Sequence, residues 1–153
     1  MGIYPNDIAM PNAFSICIDN TLNGDESGRL YHVFSKQPRH FNDAGQLIKM
    51  IDAFLDEINF PQATMIYRSF KSRKKKMDWE MKDMEVTNVR MREQRGNKAT
   101  FVVHILYRQN ASWQGRVTWV ENEQSVSFRS VLEFLKLIDS ALDFCEEETG
   151  AKV

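Results

Sequence analysis

FVVHILYRQNASWQGRVTWVENEQSVSFRSVLEFLKLIDSALD, residues 101–143, decides the fold, because it repeats FSICIDNTLNGDESGRLYHVFSKQPRHFNDAGQLIKMIDAFLD, residues 14–56, without a gap. A slide of 87 residues lays Phe14, Ile18, Asn23, Gly28, Arg29, Val33, Gln37, Phe41, Lys49, Ile51, Asp52, Leu55 and Asp56 on Phe101, Ile105, Asn110, Gly115, Arg116, Val120, Gln124, Phe128, Lys136, Ile138, Asp139, Leu142 and Asp143. That makes 13 identities in 43 positions, enough to read the two stretches as copies of one unit.

Each copy opens with a short β-rich run carrying apolar residues at alternate positions: Phe14, Ile16 and Ile18, then Phe101, Val103, Ile105 and Tyr107. A turn follows, spanning Asn23–Gly28 and Asn110–Gly115. Asn and Gly tolerate positive φ, and this reading assigns both shared positions to the turn. Return strands are expected over Arg29–Phe34 and Arg116–Glu121. Helices are expected over about 42–58 and 129–146: Leu47, Ile48, Ile51 and Leu55 make one apolar face, repeated by Phe134, Leu135, Ile138 and Leu142. Asn42 or Asp43 would cap the first helix and Ser127 or Ser130 the second. Asp52, Asp56, Asp139 and Asp143 flank the apolar stripes, where solvated charges belong.

A lone hairpin cannot bury its apolar face. The expected architecture is therefore α+β: tandem ββα units packed about a pseudo-twofold, with helices on one face of an antiparallel sheet. The chain reads as one domain, with repeat units at 14–60 and 101–146 and an insert at 61–100. In that insert, Ala63–Phe70 reads as a strand and Lys71–Lys76 as a basic loop. Met77, Trp79, Met81 and Met84 fit either helical or strand spacing. Val86–Glu93 with Arg95-Gly-Asn-Lys98 reads as a hairpin entering the second unit.

Hydrophobic content of 42% and charged content of 27% are those of a soluble globular chain. No apolar run approaches a membrane span and the first residues carry no signal-peptide pattern, so a cytoplasmic protein without a membrane partner is expected. Cys17 and Cys145 form neither a CxxC pair nor a disulfide framework and read as buried thiols. The net charge of −1 hides a segregation: residues 68–98 hold 11 Lys/Arg against 5 Asp/Glu, and residues 120–153 hold 3 against 8. Such polarity guides a partner, pairs protomers, or is satisfied within one fold.

The turn Asn110-Ala-Ser-Trp-Gln-Gly115 fits the [DN]xSxxG half of the cyclic-dinucleotide signature of PilZ domains. The RxxxR arm that would grip the phosphates occurs nowhere in the chain, so a structural turn is the better reading. His32, His40 and His104 share no metal-ligand spacing with the cysteines, and there is no phosphate loop, GxSxG or ordered triad. No catalytic, metal or cofactor-binding residue is therefore assigned, and no cofactor is implied. Trp113, in the turn, is expected to be exposed and, with Arg108 and Arg116 beside it, to meet an acidic partner or planar ligand. Trp119, in the strand, is expected in the core. Lys71, Arg73, Lys74, Lys75, Lys76 and Trp79 are the candidate nucleic-acid contacts, cations for phosphates and an aromatic for stacking.

Tyr107-Arg-Gln-Asn-Ala-Ser-Trp-Gln-Gly115, Phe128-Arg-Ser-Val-Leu-Glu133 and Leu137-Ile-Asp-Ser-Ala-Leu142 resemble a group of small bacterial proteins without an assigned activity. The resemblance extends more faintly to Gly28-Arg-Leu-Tyr31 and Phe60-Pro-Gln-Ala63. It implies a bacterial cytoplasmic origin and transfers no site residue. The expectation is thus a non-catalytic binding or adaptor protein, acting through protein contacts, self-association along sheet edges, or a groove where the copies meet. Nucleic-acid binding through residues 68–98 is the first alternative, and an enzyme with an unfamiliar site at the repeat seam the second. Differences between the copies, chiefly Trp113, Trp119 and His104 against Glu26, His32 and Cys17, mark where specific function should lie.

Overall fold

A computed structural model describes residues 11–22, 24–32, 37–64, 68, 70 and 93–151. The fold is α+β, a six-stranded antiparallel sheet with two helices among the described residues. Strands β1 (Ala13–Leu22), β2 (Asp25–His32) and β3 (Arg39–Phe41) precede helix α1 (Ala44–Ile58). Strands β4 (Ala99–Tyr107), β5 (Gln114–Trp119) and β6 (Gln124–Phe128) precede helix α2 (Val131–Ala151). The sheet order is β3-β2-β1-β4-β5-β6, with β1 and β4 joined at its centre.

Each half is therefore βββα, not the expected ββα. The extra strands are short edges: β3 pairs Gly28 with Phe41, and β6 pairs Gly115 with Phe128. Only three residues form β3, and β6 is exposed except for Phe128, so neither carries the alternation that reveals a strand in sequence. The return strands also start earlier than expected, at Asp25 and Gln114, because the first turn is tight around Gly24 (φ 84°).

Registers recur between the halves. Phe14 faces His32 and Phe101 faces Trp119; the ladder breaks between Ile18 and Asn20 in β1 and between Ile105 and Tyr107 in β4. These bulges explain the shared glycines. A Cβ on Gly28 would lie 1.8 Å from the Cys17 carbonyl oxygen, and one on Gly115 would lie 2.0 Å from that of His104. Both glycines sit in strands without positive φ, so close backbone approach, and not turn conformation, requires them. Positive φ belongs instead to Asn110 and Ala111, both at 55°, in the turn closed by Ser112 N–H donating to Gln109 O at 3.0 Å.

The helix starts also match. Asp43 Oδ1 accepts from Gln46 N–H (2.7 Å) while Gln46 Oε1 accepts from Asn42 N–H (2.7 Å). Ser130 Oγ accepts from Glu133 N–H (3.1 Å) while Glu133 Oε1 accepts from Arg129 N–H (2.8 Å). Each is a variant of the capping box in which the third helical residue takes the N–H of the residue before the cap. Asn59, in the left-handed region at φ 53°, ends α1.

One core forms where the helices meet the sheet. Phe14, Ile16, Ile18, Leu30 and Phe41 join Phe101, Val103, Ile105, Val117 and Phe128 from the strands; Leu47, Ile51, Phe54, Leu55, Phe134 and Ile138 join from the helices. Truncating any such side chain to Ala costs about 2–5 kcal/mol. Alternate residues of β1, namely Ala13, Ser15 and Cys17, are fully buried too, so the central strand is enclosed on both faces. Burial pushes the Cys17 thiol up to about 11, against the weaker pull of Arg29, which makes it an inert core thiol. Cys145 is only half-buried. No described helix is long and apolar enough to cross a membrane.

Of the expected insert, Ala63 forms an isolated parallel bridge to Arg108, and Lys98 N–H bonds Ile18 O as the chain enters β4. The rest of the proposed strand, the basic loop, the methionine-rich segment and most of the proposed hairpin lie outside the described residues.

Candidate functional site

The expected interaction cluster proves to be internal. Trp113 is 2% exposed, with its ring 6.3 Å from Phe134 and its Nε1–H donating to Asp52 Oδ1 at 3.3 Å. The exposed position foreseen for it is overturned: the turn folds back over the helix starts, and Ser112 Oγ accepts from Val131 N–H at 3.0 Å. Arg108 is 5% exposed and likewise committed. Its Nη1 donates to Asp56 Oδ1 at 2.8 Å and stands 3.7 Å from Asp52 Oδ1, while its Nε donates to Pro61 O at 2.8 Å. Arg116, on the other face of β5 from core residue Val117, is exposed and stands apart from this pair. Asp52 and Asp56 flank the apolar stripe and keep partial exposure, and beyond what was expected they also fasten α1 to the second hairpin. Lys71, Arg73, Lys74, Lys75, Lys76 and Trp79 lie outside the described residues.

The opposite junction, where the first hairpin meets α2, has different chemistry. At the positions corresponding to Arg108 and Trp113 stand Thr21 and Glu26, facing Asp139, Asp143 and Glu146 around a cavity of about 320 Å³. Thr21 Oγ1 donates to Glu146 Oε1 at 3.4 Å. Glu26 is 8% exposed; burial, then the hydrogen bond and charge of Asp139, push its carboxyl up to about 7. Among the described residues no group of His, Cys, Asp and Glu is arranged to hold a metal ion.

A second cavity, an apolar groove of about 380 Å³, lies between α2 and the β4-β5-β6 end of the sheet. Phe101, Trp119, Val126, Leu137, Ala141 and Phe144 form its apolar walls, with Asn122, Gln124 and Ser140 at its polar points. Trp119 stands 6.4 Å from the Phe101 ring and edge-on to Phe144 at 5.9 Å. It is partly buried against the core, as its strand position suggested, yet its Nε1–H is buried without an acceptor. An unmet buried donor costs about 1–3 kcal/mol.

The other half resolves the same place differently. Phe14, His32, Arg39 and Phe54 correspond by offset to Phe101, Trp119, Val126 and Ala141. Phe54 fills the space: its ring lies 4.7 Å from His32 and 6.1 Å from Phe14, with the Arg39 guanidinium 4.3 Å from its centroid. His32, 1% exposed, bonds through Nε2 to Pro11 O at 2.6 Å, and burial holds its pKa down at about 4 despite that bond. It is a neutral imidazole, donating from Nε2. The first half packs the Phe54 ring and the Pro11 carbonyl against His32; in the second, Ala141 stands at the Phe54 position, Phe144 is the ring beside Trp119, and the indole N–H has no acceptor among the described residues. The Phe54/Ala141 exchange at one stripe position was the signal in the sequence that could have located this groove.

Comparison with known protein families, curated proteins and solved structures finds no match for this chain.

Proposed function

We propose that this chain is a tandem duplication acting as a non-catalytic binding protein, with the groove beneath α2 as its binding site. The matched registers, bulges, glycines and capping boxes support the duplication. So does the central pairing: Ser15 faces Val102, its own counterpart, while Phe14 faces Val103 and Ile16 faces Phe101. A pseudo-twofold axis passing between Ser15 and Val102 generates those pairs.

The observation that carries the binding reading is Ala141 at the position of Phe54, beside an aromatic-lined space where the first half packs the Phe54 ring. Apolar grooves with a few polar points are the usual form of small-ligand sites. Duplication frees one copy to keep packing while the other opens. Binding of 1-anilinonaphthalene-8-sulfonate, followed by its fluorescence, tests the reading. Saturable binding of about one dye per chain, abolished in a folded Ala141→Phe variant, is expected. Absence of saturable binding, or binding indifferent to Ala141→Phe, overturns it.

A further inference from the structure

We infer that the cavity between the first hairpin and α2 binds a guanidinium group, held by Asp139, Asp143 and Glu26. The inference goes beyond the groove reading above and takes from it only the correspondence between the two halves. At the junction of α1 with the second hairpin, Asp52 and Asp56 stand one helical turn apart and hold a guanidinium. Arg108 Nη1 lies 2.8 Å from Asp56 Oδ1 and 3.7 Å from Asp52 Oδ1. The offset of 87 residues carries Asp52 and Asp56 onto Asp139 and Asp143, so α2 keeps both carboxylates at the same spacing. It carries Arg108 onto Thr21, whose short side chain brings no cation. Between them lies the cavity of about 320 Å³, lined by Thr21, Glu26, Asp139, Asp143 and Glu146. That volume is within the range of small-ligand pockets.

Glu26 is the second, independent observation. It takes the place of Trp113, the ring that closes the other junction, and lines the cavity although only 8% exposed. Among the described residues no Lys, Arg or His forms a salt bridge with Glu26, Asp139 or Asp143. Buried carboxylates are ordinarily paired with a cation. Here burial and Asp139 instead push the Glu26 carboxyl up to about 7, the direction expected where no cation stands beside it. A guanidinium suits the site better than an ammonium because its planar fork reaches several oxygens at once. Arg108 does so with Asp56 and Pro61 O at the matching junction.

The probes are n-propylguanidinium, n-butylammonium (the charge without the fork) and n-propylurea (the fork without the charge). Titrations of the full chain at pH 8 are followed by ¹H–¹⁵N spectra. Propylguanidinium should bind roughly fivefold more tightly than either of the others, and should shift the amides of Thr21, Glu26 and Asp139. Thr21→Arg, which rebuilds the arrangement of Arg108, should abolish that binding and raise Tm by a few degrees. Asp143→Asn, at an exposed position, should weaken it roughly fivefold and serves if Thr21→Arg does not fold. Ala141→Phe should leave it unchanged, so this site and the groove beneath α2 stand or fall separately. An acetylated Gly-Gly-Arg-Gly-Gly amide distinguishes the sources of the group. Tighter binding than propylguanidinium assigns an arginine side chain of a partner protein, and no gain assigns a free guanidinium compound. Equal affinity for propylguanidinium and butylammonium marks an acidic surface without a built site and overturns the inference. So does absence of binding, or binding that either folded variant leaves unweakened.

Discussion

Arg108 Nη1 stands 2.8 Å from Asp56 Oδ1, joining the end of β4 to the last turn of a helix 52 residues earlier. The guanidinium is buried at 5% exposure while the carboxylate keeps 39%, so the desolvation falls mainly on the arginine. Its planar fork reaches Asp56 through Nη1 and Pro61 O through Nε together, which a lysine cannot do. Arg108→Ala should lower stability by about 2–3 kcal/mol in urea unfolding, and Arg108→Lys should recover less than half of that. Asp56→Asn should cost about 1 kcal/mol, because Asp52 remains 3.7 Å from the charge.

Gly28 and Gly115 should each refuse alanine. The added methyl would meet a carbonyl oxygen of the paired strand, and backbone cannot yield as a flexible side chain can. Thermal unfolding of Gly28→Ala and Gly115→Ala should show losses of about 3 kcal/mol each. Gly24→Ala probes a different cause. Nothing stands within 4 Å of the position, but φ is 84°, so a smaller loss of about 1 kcal/mol is expected from backbone strain alone.

His32 should make the fold acid-sensitive. Its pKa is about 4 when folded and near 6.5 when unfolded, so the unfolded chain binds the extra proton between those values. The contribution of the neutral His32 is complete above pH 6.5, declines as pH falls, and is lost by about pH 4, on the order of 3 kcal/mol. The difference in unfolding free energy between the parent chain and His32→Phe, measured across that window, should change by this amount, growing in the parent's favour as pH rises.

Glu26 tilts stability the other way. Its folded pKa, raised to about 7 from 4.5 by burial and Asp139, makes the folded state the tighter proton binder. The stabilisation is present below pH 4.5 and is lost as pH rises through about 7. Glu26→Gln, neutral at every pH, should therefore melt a few degrees above the parent chain at pH 8, with the gain shrinking toward pH 5. Because His32 and Glu26 act with opposite slopes, the parent chain should show a shallow pH profile that each single variant unmasks.

How far sequence reaches is clearest at matched positions. The apolar stripes of α1 and α2 and the caps at Asp43 and Ser130 are properties of neighbours in the chain. Periodicity and side chain-to-backbone bonding over three or four residues therefore revealed them. The shared glycines were visible as well, although their reason, a bulge pressing Gly28 on Cys17 and Gly115 on His104, belongs to strand pairing. The edge strands β3 and β6 were not legible, being too short or too exposed to alternate. Nor was the burial of Trp113 or the union of Arg108 with Asp52 and Asp56, since contacts across 52 and 61 residues leave no local period. Sequence by itself thus determined the four longer strands, the two helices and the helix starts, because those obey short-range rules. Only the tertiary structure decided that Trp113 closes one junction, that Glu26 meets Asp139 at the other, and that Ala141 leaves space beneath α2. Packing sets those outcomes by volume and charge among residues far apart in the chain.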